Sequence, residues 1–337
     1  MTVSMHPSAT TLRVQGGRVP DFFIVGHPKS GTTALFDVLL RHPQIYMSPN
    51  KEPWYFAAEL SDPLPAAERA PRPSGTGWTP QTLEQYLSLF DGAAPHQRAG
   101  EASALYLWSR TAAQRIAEVQ PGARIVAILR EPASFLRSLH LQFVQTYIET
   151  EADFGRALSL ESERSAGRQI PANAYWPGAT LYSEHVRYVE QLRRFHSHFP
   201  PEQVMVAIYD DFRADNEATV RAVQRFLEVD DTAPIAVREV NPSVSVRARR
   251  VHELVHTVAA GQSPLTRAVR EAAVRLAPPG LDRERALAIR DRLFFAKPQP
   301  VDEQLMRELR ARFKPEVEAV SEYLNRDLVK LWGYGDS

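Results

Sequence analysis

A short turn between residues 26 and 33, GHPKSGTT, carries the residue types that bind phosphate. Three of its positions fit the nucleotide-hydrolase pattern G-x-x-x-x-G-K-[ST], namely Gly26, Gly31 and Thr33. Thr32 stands at the lysine position of that pattern, and the lysine of the turn is Lys29. Backbone N–H groups that converge at a helix start bind an anion without that lysine. The turn therefore predicts an anion site without triphosphate and metal geometry. The alternative is a plain strand-to-helix connection with a hydroxyl cap.

A second set of anion-binding side chains follows another apolar run. The run RIVAIL, residues 124–129, ends at Arg130, and Ser138 follows eight residues later. A magnesium-dependent kinase requires an acidic metal ligand near such a strand end, whereas an arginine and a hydroxyl donate hydrogen bonds to anions. Two phosphate sites without a metal ligand indicate a nucleotide phosphorylated at both its 5′ and 3′ positions.

Short apolar runs alternate with amphipathic segments along the chain. The runs at 22–25, 124–129 and 204–209 predict strands, and helical spacing follows at 34–40 and 181–199. This alternation predicts an α/β fold with a parallel sheet covered on both faces, in which ligands bind at the carboxyl ends of the strands.

Two further regions interrupt this pattern. Residues 61–80 are rich in proline and glycine and predict a long surface loop. Residues 246–332 predict a helical C-terminal region, arginine-rich up to the KPQP break and ending in a helix over 303–332.

Composition sets limits on the class of protein. The chain has 337 residues, 44% of them hydrophobic, which we interpret as one domain over residues 21–337 after a mobile leader, residues 1–20. A formal net charge of zero argues against a surface that binds nucleic acid. The absence of cysteine, of an apolar run that would span a bilayer and of a signal peptide predicts a cytoplasmic protein without a transmembrane segment.

The two phosphate motifs together resemble those of PAPS-dependent sulfotransferases, which use 3′-phosphoadenosine 5′-phosphosulfate (PAPS). PKSGTT is similar to the 5′-phosphosulfate loop of that family, and LREPASFLRS, residues 129–138, is similar to its 3′-phosphate segment. Residues 181–212, RFLEVD and the C-terminal RDLVKLW are also similar, so the resemblance covers most of residues 21–332. The sequence resembles bacterial-type members of the family, and it is partly similar to heparan sulfate and other glycosaminoglycan sulfotransferases. The resemblance implies a three-layer α/β sandwich with a P-loop-like sheet, and PAPS as co-substrate without a metal.

The resemblance also implies roles for individual residues. Lys29 would contact the 5′-phosphate near the bridging oxygen, with hydrogen bonds from Ser30, Gly31, Thr32 and Thr33. Arg130 and Ser138 would bind the 3′-phosphate. Arg247, in the arginine-rich run NPSVSVRARR, would close over it, although an ordinary solvated basic helix explains this run equally well.

The segment KEPWYF, residues 51–56, resembles the segment of glycosaminoglycan sulfotransferases that holds the proposed catalytic base, here Glu52. Its aromatic neighbours could desolvate a carboxylate. The alternative is a surface ion pair beside an aromatic anchor. His27 and His140 are the other candidate bases, ranked below Glu52.

One segment departs from the glycosaminoglycan pattern. In GEASALYL, residues 100–107, Ala102 stands where those enzymes have a lysine and Ala104 where they have a proline, which weakens a glycosaminoglycan assignment. Ser103 remains a weaker candidate for a contact in the site.

The sequence thus predicts an enzyme that moves a sulfonate group from PAPS to a hydroxyl group, or second to an amine, of a carbohydrate, glycolipid or secondary metabolite. The alternatives are a small-molecule kinase using ATP and magnesium, and a non-catalytic protein that binds PAP, the desulfated nucleotide. The HELVH motif at 252–256 matches the zinc-peptidase pattern, but it lacks the third histidine of the extended pattern, so a solvated helix face explains it better. The oligomeric state is left open.

Overall fold

The computed structural model describes residues 13–14, 17–60, 80–172, 174, 177–232, 235, 245–246, 295–296 and 300–335. The strands among these residues are, in chain order, β1 Arg13–Val14, β2 Gly17–Arg18, β3 Phe22–Gly26, β4 Ile45–Met47, β5 Arg98–Ala102, β6 Arg124–Leu129, β7 Val204–Ile208, β8 Ser245–Val246 and β9 Phe295–Ala296. A five-stranded parallel sheet has the order β4-β5-β3-β6-β7, while β1 with β2 and β8 with β9 form antiparallel pairs.

Helices cover both faces of this sheet. They are α1 Thr32–Leu39, α2 Leu83–Leu87, α3 Ala112–Val119, α4 Pro132–Gln145, α5 Phe154–Ser159, α6 Glu161–Ser165, α7 Tyr188–His196, α8 Tyr209–Ala214, α9 Asn216–Phe226, α10 Glu303–Tyr323 and α11 Leu328–Leu331. Side chains alternate along β3: Phe22 and Ile24 pack toward α1, α8 and α9, whereas Phe23 and Val25 pack toward α3, α4, α7 and α10. The predicted three-layer α/β fold is confirmed.

The apolar run of β3 is continuous because both of its faces are buried. β3 is the first strand of the sheet in the sequence, yet it lies at the centre, between β5 and β6. The strands that follow β3 in the sequence lie on both sides of it. α/β sheets bind ligands in the crevice at the carboxyl ends of the strands where the strand order reverses in this way. The carboxyl ends of β3 and β6 are also adjacent, since the His27 N–H donates to the Ile128 carbonyl at 2.7 Å.

The structure corrects several predicted boundaries. The first helix begins at Thr32, two residues earlier than predicted, because Gly31 starts it directly after the turn. The 181–199 segment divides into a 3-10 turn, Tyr182–Val186, and α7. The predicted 303–332 helix ends at Tyr323: Asn325 has a φ of 48°, and Asp327 caps α11. Two short strands of the sheet, β4 and β5, were not predicted.

The packed fold begins inside the range predicted as a leader. β1 and β2 form a hairpin, and Arg18 is buried, donating from Nη1 to the Ala94 carbonyl at 2.7 Å and pairing with Asp21 at 3.1 Å. Of the predicted 61–80 loop, the structure describes residue 80 alone. Arg247 and the HELVH motif lie outside the described residues, as does most of the predicted region 246–300. No helix in the described ranges is long and apolar enough to cross a membrane.

Candidate functional site

The turn after β3 ends in a helix start whose first amides have no side-chain cap among the described residues. Gly31 sits at this start with a φ of 89°, a conformation that favours glycine. A Cβ on Gly31 would also lie 2.9 Å from Phe212 Cδ1, so a larger residue would have to displace that ring. The amides of the turn and of α1 can therefore donate to an anion.

Lys29 lies in this turn with a φ of 60°. Burial, and then the positive charge of Arg130, lower the pKa of Lys29 to about 8. Two cations that share a partly buried site repel each other unless an anion lies beside them. The Lys29–Arg130 neighbourhood therefore has the electrostatics of an anion-binding site.

Arg130 connects the ends of β3 and β6. Its Nη1 donates to the Lys29 carbonyl at 2.7 Å and its Nε donates to Ser134 Oγ at 3.2 Å, while the guanidinium lies 4.7 Å from the centre of the Tyr209 ring. Nη2 makes no hydrogen bond to any of the described residues. The guanidinium is thus held in place through Nε and Nη1.

Ser138 lies on α4, one turn beyond Ser134, so both hydroxyls are on the same helix face. The structure therefore brings Lys29 and Arg130 together at the carboxyl end of the sheet, while Ser138 is buried within α4. Ser134 was missed by the sequence reasoning, although a hydroxyl four residues after Arg130 was a signal that could have identified it.

The C-terminal segment fixes the elements around Arg130. Glu131 caps α4 by accepting from the Ser134 N–H at 2.7 Å, and Tyr334 Oη donates to the same carboxylate at 2.5 Å. Trp332 Nε1 donates to Asp210 at 2.9 Å. Asp211, the next acidic residue after β7, pairs with Arg326 at 2.6 Å. These acidic side chains are bound to the C-terminal segment, and within the described ranges no group of three or more His, Asp or Glu could hold a metal ion.

Glu52 lies at the carboxyl end of the neighbouring strands. Its backbone N–H donates to the Ala102 carbonyl at 2.9 Å, which extends the pairing of β4 with β5 beyond the strands. Its Oε2 accepts from Trp54 Nε1 at 2.8 Å and from the Ala104 N–H at 2.9 Å. The side chain remains 22% exposed. The carboxylate is therefore fixed in orientation and open to a partner in solution.

Lys51 links Glu52 to the anion-binding turn. Its Nζ donates to Thr33 Oγ1 at 2.8 Å and lies 3.5 Å from Glu52 Oε1. The sequence reasoning did not single out Lys51, because its contact with Thr33 spans two elements. Ala102, which stands at the position of a lysine in glycosaminoglycan enzymes, is fully buried. Lys51 is thus a cation between the candidate base and the turn.

The histidines considered as alternative bases are enclosed in the core. His27 Nε2 is hydrogen-bonded to Gln191 Oε1 at 2.8 Å, and burial lowers the pKa of His27 to about 3. His140 uses both ring nitrogens, with the Tyr182 hydroxyl at 2.9 Å and the Ala152 carbonyl at 3.1 Å. Burial also lowers the pKa of His140. Neither ring faces a substrate, so Glu52 is the better placed of the three.

Ser103 braces the Glu52 segment instead of facing a ligand. It is fully buried, and its Oγ accepts from the Trp54 N–H at 3.2 Å. Next to it, Glu101 is also fully buried, with Oε2 accepting from the Tyr86 hydroxyl at 2.8 Å. Burial raises the pKa of Glu101 to about 8, although hydrogen bonding from neighbouring hydroxyls opposes the shift. Glu101 is therefore a neutral carboxyl group at neutral pH.

A cavity of about 470 Å³ adjoins these elements. Its lining comprises Glu59, Leu60, Trp108, Arg110, Gly178, Leu181, Glu184, Arg187, Glu190, Gln191 and Arg194. Trp108 stacks on His185 with ring centres 4.9 Å apart. The cavity shares Gln191 with the contact beneath His27, so it lies beside the anion-binding turn.

Comparisons with known proteins agree with this geometry. The model of the Sulfotransferase family matches residues 20–233. Human carbohydrate sulfotransferase 15 is 31% identical, over 38% of this chain and 28% of that protein. Human bifunctional heparan sulfate N-deacetylase/N-sulfotransferase 3 is 27% identical, over 63% of this chain and 22% of that protein. A sulfotransferase crystal structure from Alicyclobacillus acidocaldarius superposes with a TM-score of 0.63 at 25% identity, over 93% of this chain and 98% of that one. The chain therefore spans under a third of these two human relatives.

The buried Glu101 should make stability depend on pH. In the unfolded chain its carboxyl group ionises near pH 4.5, whereas in the fold it keeps its proton until about pH 8. Between these values the unfolded state binds fewer protons, so raising the pH favours unfolding. We expect Glu101→Gln to remove this loss, which is at most on the order of 5 kcal/mol.

Urea unfolding of the wild type and of Glu101→Gln at about pH 5 and about pH 8 measures the effect. The exposed Glu118, replaced by Gln, is the control and should keep the wild-type slope. Parallel stability curves for the wild type and Glu101→Gln would contradict a neutral Glu101.

Proposed function

Because the chain belongs to the sulfotransferase family, we propose that it transfers a sulfonate group from PAPS to a hydroxyl group of a carbohydrate and releases PAP. The observation that carries this proposal is the 2.7 Å hydrogen bond from Arg130 to the Lys29 carbonyl. It joins two anion-binding elements into one site, as a nucleotide with separate 5′ and 3′ phosphates requires. The relatives named as carbohydrate and heparan sulfate enzymes support the acceptor class.

The residues present fit the two ends of PAPS. The uncapped amides at the start of α1, with Lys29 and the hydroxyl of Thr33, would hold the 5′-phosphosulfate. The Nη2 of Arg130, with the hydroxyl of Ser138, would hold the 3′-phosphate. Glycine at position 31 permits the positive φ of this turn and its close approach to the Phe212 ring. Arg247 as a further 3′-phosphate ligand stays a prediction.

PAPS, when bound, supplies the sulfonate group and a phosphate leaving group. Glu52 would accept the proton of the acceptor hydroxyl as the acceptor O–S bond forms. Lys29 would stabilise the phosphate oxygen that takes the electron pair of the breaking S–O bond, and so the charge that develops on PAP. Lys51, between Thr33 and Glu52, would place a second positive charge beside the transferred group. The step needs in-line positioning, a base and cations, which these residues offer.

The cavity beside Gln191 supports a site for the acceptor. Glu59 and Leu60 follow Glu52 in the same segment, and Trp108 lies four residues after Ala104, whose amide donates to the Glu52 carboxylate. A tryptophan among polar neighbours suits a sugar ring, since its apolar surface covers C–H groups while the surrounding charges bind hydroxyls.

The charges of the cavity favour an uncharged sugar. Its lining carries three arginines and three glutamates, and two of these arginines are paired: Arg187 with Glu184 at 3.2 Å and Arg194 with Glu190 at 2.8 Å. A site for a polyanionic chain would require excess positive charge. We therefore infer a neutral carbohydrate acceptor in preference to a sulfated glycosaminoglycan.

The assignment of Arg130 to the 3′-phosphate is tested with two nucleotides. PAP and adenosine 5′-phosphate differ only in that phosphate. Arg130→Ala should weaken PAP binding by about 10- to 100-fold, the size of a lost charge-assisted hydrogen bond, and should change adenosine 5′-phosphate binding far less. Calorimetric titration of both nucleotides gives the ratio. Arg168→Ala, at an exposed site, serves as control. Equal losses for both ligands would refute the assignment.

The role of Glu52 is tested by separating binding from chemistry. Glu52→Gln keeps the shape of the side chain but cannot accept a proton, so kcat should fall by about 100-fold or more while PAP affinity is retained. The assay uses radiolabelled PAPS with a panel of methyl glycosides, chondroitin and N-desulfated heparin. Glu118→Gln is the matched control, because it makes the same change at an exposed glutamate on α3. Wild-type kcat in Glu52→Gln would exclude Glu52 as the base.

The acceptor cavity is tested at Trp108. Replacing Trp108 by Ala removes the stacking surface, so the KM of the best methyl glycoside should rise about tenfold while the affinity for PAP stays at the wild-type value. Trp108→Phe should restore much of the loss because it keeps an aromatic face. An unchanged KM in Trp108→Ala would place the acceptor elsewhere, and a preference for chondroitin would contradict the neutral acceptor.

A further inference from the structure

Glu101 lies in the core beside the proposed active site, yet the proposed chemistry does not use it. It is on β5 with its side chain on the sheet face of α2, where Tyr86 donates to it, while its neighbour Ala102 packs on the opposite face. The residue is fully buried. Glu101 therefore contacts no substrate, and any effect on catalysis must pass through its neighbours.

Two hydroxyls that interact with Glu101 hold the segment of Glu52. Ser103 Oγ accepts from the Trp54 N–H at 3.2 Å, and the Tyr106 hydroxyl accepts from the Phe56 N–H at 3.2 Å. The same two hydroxyls interact with the Glu101 carboxyl group. Trp54 in turn donates from Nε1 to the Glu52 carboxylate at 2.8 Å. A continuous series of contacts thus leads from Glu101 to Glu52.

The Glu101 carboxyl group has the surroundings of a neutral group. Its Oε1 is buried and receives no hydrogen bond of normal geometry from the described residues. The titratable groups that interact with it are the Tyr86 and Tyr106 hydroxyls and Glu52. Arg115 on α3 lies over the rings of Tyr55 and Phe56, 5.3 Å and 5.9 Å from their centres. A buried carboxylate without a positive partner would be unfavourable here, so the Glu101 carboxyl group keeps its proton.

A strained backbone makes this bracing necessary. Glu52 and Trp54 both have positive φ values, 60° and 55°, which non-glycine residues rarely adopt. Such conformations persist only where the surrounding contacts hold them. The N–H groups of Trp54 and Phe56 provide those contacts, and both end on hydroxyls of the Glu101 cluster.

We propose that Glu101 is a positioning residue: its buried carboxyl group organises the hydroxyls of Tyr86, Tyr106 and Ser103 into one cluster that holds the Glu52 segment in its active geometry. The proposal rests on the proposed function in taking Glu52 as the base. It assigns to the buried face of β5 a role in catalysis that is separate from donor binding.

Kinetics of paired variants test this role. Glu101→Leu removes the hydrogen-bonding group and should lower kcat about 10- to 100-fold, because a displaced base reacts poorly, while the KM for PAPS stays within about twofold. Glu101→Gln keeps a neutral hydrogen-bonding group and should recover most of that loss. Tyr106→Phe, a smaller change in case Glu101→Leu fails to fold, should lower kcat in the same way. Equal kcat for Glu101→Leu and wild type would overturn the proposal.

A matched control separates positioning from general destabilisation. Tyr182 is another buried tyrosine whose hydroxyl donates to a buried glutamate, Glu149, at 3.1 Å. Tyr182→Phe therefore removes the same kind of contact at a site away from Glu52. It should lower stability without the loss of kcat seen in Tyr106→Phe. Equal losses of kcat in Tyr182→Phe and Tyr106→Phe would show a merely structural role.

Hydrogen exchange reads the bracing directly and needs no turnover. In Tyr106→Phe and Glu101→Leu, peptides covering residues 52–57 should exchange faster than in the wild type, while peptides of α4 and β6 stay unchanged. Unchanged exchange at 52–57 would overturn the cluster even if the wild type transfers sulfonate. Absence of transfer by the wild type, with the expected exchange pattern, would instead refute the proposed function.

The pH profile gives a third readout. The kcat of the wild type should fall above about pH 8, because Glu101 ionises there. The kcat of Glu101→Gln should not fall in this range. Free Lys29 has a pKa of about 8 as well, but its ionisation affects kcat/KM for PAPS, because kcat reports the enzyme with PAPS bound. The kcat/KM profile of Glu101→Gln should therefore keep its alkaline limb. Identical kcat profiles for both proteins would contradict the proposal.

Discussion

The site depends on the closeness of two positive charges, those of Lys29 and Arg130. The Arg130 guanidinium is held through Nη1 on the Lys29 carbonyl, and its charge contributes to lowering the pKa of Lys29 to about 8. Lys29 and Arg130 therefore repel each other in the fold. A bound anion would offset this repulsion, which adds to the affinity for the anion. A cradle of backbone amides alone would bind an anion without this additional gain.

Distant parts of the chain keep Arg130 in place. The Tyr188 hydroxyl donates to the Arg130 carbonyl at 2.7 Å, and Tyr334 binds Glu131, the cap of α4. Trp332 reaches Asp210 at the end of β7. The last described residues of the chain are thus packed around the strand end that carries Arg130. Their contribution is geometric, because they fix the strand ends from which the anion donors project.

The sequence predicted the parts of this site that are local. The apolar runs of β3, β6 and β7 were recognisable because strands buried on both faces are apolar throughout, and the turn at Lys29 directly follows one of them. β4 and β5 were missed, since β4 has three residues and β5 reads RAGEA, a composition of low strand propensity. With them the sequence also missed Lys51 and the bracing role of Glu101. Contacts such as Lys51 with Thr33 join elements that sequence patterns treat separately.

The two glutamates near this site illustrate how environment divides one chemical group into two roles. Glu52 lies at the sheet edge, 22% exposed and beside Lys51, where a carboxylate can exchange a proton with a partner. Glu101 lies one layer deeper, fully buried among tyrosines, where burial raises its pKa to about 8. A neutral carboxyl group can donate as well as accept, so it can organise several hydroxyls at once. If Glu101 were ionised, its negative charge would lie near that of Glu52, and the two like charges would repel each other. The different behaviour proposed for the two glutamates therefore follows from their different depths in the same fold.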